Sequence, residues 1–166
     1  MTTQISVMGN FAPDTGVYLS KLTSQMSLTN VKQQLCWVLP FPTGADLGGQ
    51  FSFVVPQNYS STPVLVPVLV IDGTPANTLG VGAQLLQVAA SATIDAAYEA
   101  EDVANNSTWT GYADEEVFIG PNITLTPSSA FTPGNLVLMR FYRDDSVDTQ
   151  TIDMLMVDLL FQYTEA

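Results

Sequence analysis

From Gln50 onward, apolar residues come in short runs that alternate with polar ones or end at turn-forming residues. FSFVV (Phe51–Val55) stops at Pro56-Gln57-Asn58, and VLVPVLVID (Val64–Asp72) stops at Asp72-Gly73-Thr74-Pro75. The last run, TIDMLMVDLLFQY, sets Leu155, Val157, Leu159, Phe161 and Tyr163 against Met154, Met156, Asp158, Leu160 and Gln162. A period of two is that of a β-strand, whose successive side chains point to opposite faces. The second face of this run is too apolar for open water, which predicts a central strand partly covered on both sides. QLLQVAASATIDAAYEAE (Gln84–Glu101) is alanine-rich and by propensity suits a helix. Leu86, Val88, Ala90, Ala92, Ile94, Ala96 and Tyr98 nevertheless recur at every second place, so the pattern predicts a strand.

Further breaks fall at Gly80–Gly82, Asn105-Asn106, Gly120-Pro121-Asn122, Ser128-Ser129 and Pro133-Gly134-Asn135. Short strands at this spacing predict an all-β chain built as a sandwich or barrel. Pro67 has no N–H to give to a ladder, which places its strand at an edge or a bulge. Residues 1–34 are polar, keep no sustained period and hold both lysines, Lys21 and Lys32. They read as an extended N-terminal arm outside the core, with residues 35–166 as a single sandwich domain.

The run LVLMRFYR carries two of the four basic residues, Arg140 and Arg143. On a regular strand an offset of three sends them to opposite faces, so they cannot clamp one anion together. Each is expected to pair with a nearby carboxylate, the candidates being Asp144, Asp145, Asp148, Asp153 and Asp158.

Charge narrows the partners. Sixteen carboxylates against four cations give a net charge of −12, too little positive charge to neutralise a phosphate backbone or an anionic membrane surface. No nucleic-acid or membrane partner is expected; the acidity serves solubility. Charged residues are only 12% of the chain against 46% apolar, about half the usual charged share. Cys36 stands alone, which leaves no intrachain disulfide. MTTQISVMGN has neither a basic nor an apolar leader region, so no signal peptide is expected.

Catalytic chemistry is thin. There is no histidine, which removes imidazole acid/base work and His metal ligation. Asp14-Thr15-Gly16 spells an aspartic-protease triplet, but it lies in a polar arm without the apolar strand that such a carboxylate needs. DDSVD (Asp144–Asp148) and DEE (Asp114–Glu116) offer oxygens to a calcium ion, yet neither has EF-hand spacing. Both read as solvated turns. No catalytic, cofactor-binding or metal residues are assigned, and no cofactor is expected. The glycosylation sequons at Asn58, Asn105, Asn106 and Asn122 carry little weight without a secretory signal. Trp37, Trp109 and Tyr112 suit stacking on sugars, although in a sandwich such residues more often serve core or interface.

Three blocks, WVLPFPTGADLGGQFSFVVPQNY (Trp37–Tyr59), FTPGNLVLMRFYRDD (Phe131–Asp145) and TIDMLMVDLLFQY (Thr151–Tyr163), together resemble a β-sandwich of tailed-bacteriophage structural proteins. The matching positions are Phe51, Ser52, Phe53, Pro56, Asn58 and Tyr59, then Gly134, Leu136, Val137, Arg140, Arg143 and Asp144, then Tyr163. VLVPVLVIDGTPANT departs from that pattern, where such proteins often have Tyr-Trp. The resemblance implies a jelly-roll β-sandwich of two antiparallel sheets with virion-assembly duties and no catalysis. The leading expectation is a capsid decoration, or cement, protein: a homotrimer made in the host cytoplasm, bound to the major capsid protein or another virion protein on the outer surface of a phage head. The alternative is a head or tail fibre module that binds a host-surface carbohydrate with the help of calcium. In either role Arg140, Arg143, Asp144 and Asp158 are expected to form structural ion pairs.

Overall fold

A computed structural model of the chain describes residues 1–7, 12–13, 20–21, 37–41, 48–71, 73–94, 96–106 and 116–166. Twelve strands and no helix occur among them. They are β1 (Thr2–Ser6), β2 (Ala12–Pro13), β3 (Ser20–Lys21), β4 (Trp37–Phe41), β5 (Gly48–Val54) and β6 (Tyr59–Ile71). These are followed by β7 (Leu79–Val88), β8 (Asp102–Asn106), β9 (Val117–Ile119), β10 (Ile123–Thr124), β11 (Leu136–Arg143) and β12 (Met154–Glu165).

All pairings are antiparallel and form two sheets. In one, β9 and β10 flank β6, then β12, then β4 and β3, with β1 also on β12; the other runs β2-β5-β11-β7-β8. The chain crosses between sheets from β4 to β5, β5 to β6 and β6 to β7. It stays for β8, returns for β9 and β10, and crosses again to β11 and β12. The sheets therefore read 4-12-6-(9,10) and 5-11-7-8, which is the wrap of a jelly roll. The all-β, two-sheet fold expected from the period of two is the fold observed.

The core lies between the sheets. From the five-stranded sheet come Phe51 and Phe53, Leu79, Val81, Ala83 and Leu85, and Val137, Met139 and Phe141; Leu65, Leu69, Leu159, Phe161 and Tyr163 meet them from the other. Phe161 is the hub. Its ring centroid is 4.5 Å from Phe53 on the opposite sheet, 5.6 Å from Tyr163, 6.0 Å from Phe131 and 6.3 Å from Tyr59. The turn after β5 closes with Tyr59 N–H donating to Pro56 O at 3.1 Å, and Asn58 accepts from the Tyr163 hydroxyl at 2.9 Å.

Several local expectations are corrected. Pairing of β12 with β6 shifts between Met156 and Asp158, so Val157 is an extra residue. That bulge reverses the phase: Met154 and Met156 face the core before it, whereas Leu159, Phe161 and Tyr163 do so after it. Leu155, grouped by alternation with Phe161, is buried on the opposite face beside Val70. Pro67 opposes Leu159 just past the shift, so the strand with the proline does adjoin a bulge.

In the alanine-rich run the strand stops at Val88. Ala89 to Ile94 are exposed and turn, with Ala92 N–H donating to Ala89 O at 3.0 Å and Ser91 at φ 68°. Small methyl groups remove too little area from water to hold a strand there. Leu86 and Val88 also lie on the outer face, while Leu79 to Leu85 point odd-numbered side chains inward. Gly80, Gly82, Asn105 and Asn106 are strand residues rather than breaks. Within residues 1–34, β1 pairs with β12 from Thr2 to Ser6, and Val7 is 4% exposed within the core. Most of the remaining arm lies outside the described residues.

Replacing Phe161 by Ala is expected to cost about 3–5 kcal/mol, because it empties a position that touches rings from both sheets. Urea unfolding followed by tyrosine fluorescence measures this, and a loss below about 1 kcal/mol contradicts the assigned hub.

Candidate functional site

The central strand of the five-stranded sheet, β11, sends Val137, Met139 and Phe141 inward, so Leu136, Leu138, Arg140 and Tyr142 face outward. The register then defines rows across three strands. Val54, Leu136 and Val88 form one; Ser52, Leu138 and Leu86 the next; Gln50, Arg140 and Gln84 the third; Gly48, Tyr142 and Gly82 the fourth. One end of this face is apolar. Val54, Val88, Ala89, Ala92, Ile94 and Leu136 line a groove of about 270 Å³ there, with Val54 and Ile94 more than half exposed.

The other end is polar. The Arg140 guanidinium carbon lies 4.9 Å from the centroid of the Tyr142 ring, within cation–π range. The hydroxyl end of the Tyr142 ring packs on Gly82, where an added Cβ would sit 2.6 Å from its Cζ, so a side chain there would displace the ring. Its hydroxyl donates to Glu101. Burial raises the Tyr142 pKa most, the hydrogen bond to Glu101 and the charges of Glu101 and Asp144 raise it further, and Arg140 lowers it somewhat.

Arg143 points to the opposite side of β11 and is 2% exposed. Its Nε and one terminal nitrogen donate to Asp148, that nitrogen also to Gln150 O at 2.8 Å, and the other terminal nitrogen to Ile152 O at 2.8 Å. The guanidinium thereby fastens the turn that joins β11 to β12. Its carboxylate partner is Asp148 rather than the adjacent Asp144 or Asp158. Asp144 Oδ1 accepts from Ser146 N–H at 3.0 Å and Ser146 Oγ at 2.6 Å. Asp158 accepts from Ser6 Oγ at 2.6 Å and from Leu159 N–H at 2.8 Å. DDSVD is not the solvated turn expected, for Asp144 is 3% exposed and the Asp148 side chain 1%.

Of the earlier candidates, Trp109, Tyr112, Asp114, Glu115 and Asp14-Thr15-Gly16 lie outside the described residues, and Trp37 is placed only as a residue of β4. The Gln50–Arg140–Gln84 row was missed. Each residue sits on a different strand, and only the register aligns them.

No family model matches the chain, and no curated protein matches it. Among solved structures, the CBM22-1 xylan-binding domain of Paenibacillus barcinonensis Xyn10C aligns at 11% identity and TM-score 0.48, covering 100% of this chain and 94% of that one. The C-terminal family 22 carbohydrate-binding module of Clostridium thermocellum Xyn10B aligns at 15% and 0.44, covering 97% and 91%. The family 11 module of Clostridium thermocellum, solved with a β-1,3-1,4-mixed-linked tetrasaccharide, aligns at 8% and 0.44, covering 96% and 94%. Likenesses this weak transfer no ligand to the present chain.

Two outcomes are expected. Arg143→Ala strands a buried Asp148 and should cost about 3–5 kcal/mol, with Arg143→Lys restoring only part because it cannot make the same fork; equal stability of all three proteins in denaturant melts contradicts this. For Tyr142, the folded state holds the phenol proton above the usual range, so its contribution is complete below about pH 10 and lost as pH rises through the raised folded value. Thermal melts should be insensitive to this group up to about pH 9 and fall above about pH 10, less steeply in Tyr142→Phe.

Proposed function

We propose that this chain is a non-catalytic binding module that takes an oligosaccharide across the outer face of its five-stranded sheet. A sugar ring offers apolar C–H faces and polar edges, so a site for it combines apolar surface with planar hydrogen-bonding groups. The observation that carries the reading is the Gln50–Arg140–Gln84 row, set beside an apolar strip of Leu86, Leu136 and Leu138 that leads into the groove. Two amides and a guanidinium supply both donors and acceptors without a nucleophile or a proton-transfer pair.

A second reading keeps the virion role and rests on a different surface. On edge strand β9, Val117 is 58% and Ile119 64% exposed, either side of buried Phe118. Apolar side chains on an exposed sheet edge suit a protein contact. In a phage particle that contact would be a shell protein or another copy of a trimer, with the module decorating the outside of the head.

Affinity electrophoresis separates the two. Xylan and mixed-linked β-glucan are the first probes. Retardation should weaken about tenfold or more in Arg140→Ala, since a lost hydrogen bond to a charged group is worth about 1.5–3 kcal/mol. Gln84→Ala should weaken it less, and Val117→Lys/Ile119→Lys should leave it unchanged. No retention on any polysaccharide, together with particle binding that the β9 variant abolishes, replaces the first reading with the second.

A further inference from the structure

β9 is an edge strand left open. It pairs with β6 on one side, Val117 opposite Val70, Phe118 opposite Leu69 and Ile119 opposite Val68, and among the described residues no strand lies on its other side. Gly120 N–H donates to Pro67 O at 2.9 Å. Antiparallel ladders alternate bonded and non-bonded pairs, so Phe118, two residues back, directs its N–H and C=O to β6. The N–H and C=O of Val117 and Ile119 point the other way, out of the sheet edge. Their side chains stand on the outer face of the sheet, 58% and 64% exposed, because Phe118 between them faces the core.

Such an edge is a template for another strand, and proteins usually blunt it with a charge, a proline or a cover. The continuation of the same edge is treated in that way: just past β10, Thr126 N–H donates to Asp102 Oδ2 at 2.9 Å, so a carboxylate from β8 caps the backbone. β9 contains neither a charge nor a proline. The chain that follows is neutral too, with no charged residue from Val117 to Met139. At a net charge of −12 that neutrality decides the occupant. A basic partner is steered to carboxylates, which this strand does not offer. A second copy, repelled by most of the acidic surface, can approach here without setting carboxylate against carboxylate.

We propose that β9 pairs antiparallel with β9 of a second copy of this chain, about a two-fold axis through Phe118. In that register Val117 meets the partner's Ile119, and Ile119 the partner's Val117. A two-fold contact presents the same patch from both sides, and this one uses the outward N–H and C=O of both residues on each copy. Val70, Val117, the partner's Ile119 and the partner's Val68 then form one apolar row across the joined sheets. Glu116 falls opposite the partner's Gly120, at the far end of the ladder from the partner's Glu116. Extended chain separates those two carboxylates by about 13 Å, beyond the Debye length of about 8 Å at physiological salt. The contact is narrow beside the roughly 800 Å² per partner of a standard interface, which puts its Kd at about 10⁻⁵–10⁻⁴ M. It requires neither a saccharide nor a shell protein, so it stands or falls separately from both functional readings.

Sedimentation equilibrium of the full chain, from about 10 μM to about 1 mM, should show a reversible monomer–dimer equilibrium that tightens as salt screens the like charges. Val117→Lys/Ile119→Lys, at exposed positions that keep the thermal melt, should be monomeric throughout. Val103→Lys, on the β8 edge at a residue 49% exposed, should dimerise like wild type. Amide exchange followed by NMR reads the register. The Val117 and Ile119 amides should exchange about threefold more slowly at about 1 mM than at about 50 μM, while Phe118, bonded to β6, is protected at both. A monomer at every concentration overturns the proposal. So does a trimer, a dimer that survives the double lysine variant, or a dimer whose Val117 and Ile119 amides exchange as in the monomer.

Discussion

The contact of Phe161 with rings from both sheets is the constraint on which the rest of the structure depends. Phe53 reaches it from β5, Phe131 from the approach to β11, and Tyr59 and Tyr163 from its own sheet. Aromatic side chains carry the largest apolar areas in such a core, and tilted or edge contacts add to the burial. For Phe161 to stand there, β12 must be in the right phase. The bulge at Val157 provides this, letting Met154 and Met156 fill one end of the sandwich and the aromatic residues the other. A strand without the extra residue turns one of those two groups outward.

Once that packing is set, the inward phase of β11 is fixed, and so is its outward one. Arg140 and Arg143 then divide their work. Arg143, buried, holds the closing turn through Asp148 and two carbonyls; Arg140 lies above Tyr142 on the open face. The concentration of positive charge on one strand is therefore two separate devices, one structural and one at the surface. Gly80 and Gly82 complete them, the first giving room to the turn and the second to the Tyr142 ring.

The functional reading follows from what that open face offers. Amides and a guanidinium stand in one row, leucines in the next, and a groove lies at the end of the face. The β9 edge is a different kind of surface, where Val117 and Ile119 are exposed on either side of buried Phe118.

Alternation along the chain determined the strand class, the two-layer architecture and the turn at Pro56–Tyr59, because those follow from neighbours within a few residues. It also determined that Arg140 and Arg143 part company, since an offset of three on a strand leaves no other outcome. It misled where the deciding contact was distant. Gly80 and Gly82 carry the local signature of a turn, yet they are strand residues because Val147 and Tyr142, about sixty positions on, need the space. The alanine-rich run keeps its period past Val88 but has nothing left to bury. Asp148 rather than Asp144 partners Arg143, and Asp144 is enclosed, because the turn folds back over the sheet. Only the tertiary structure decided the row of Gln50, Arg140 and Gln84, for a register joins residues that no local pattern connects.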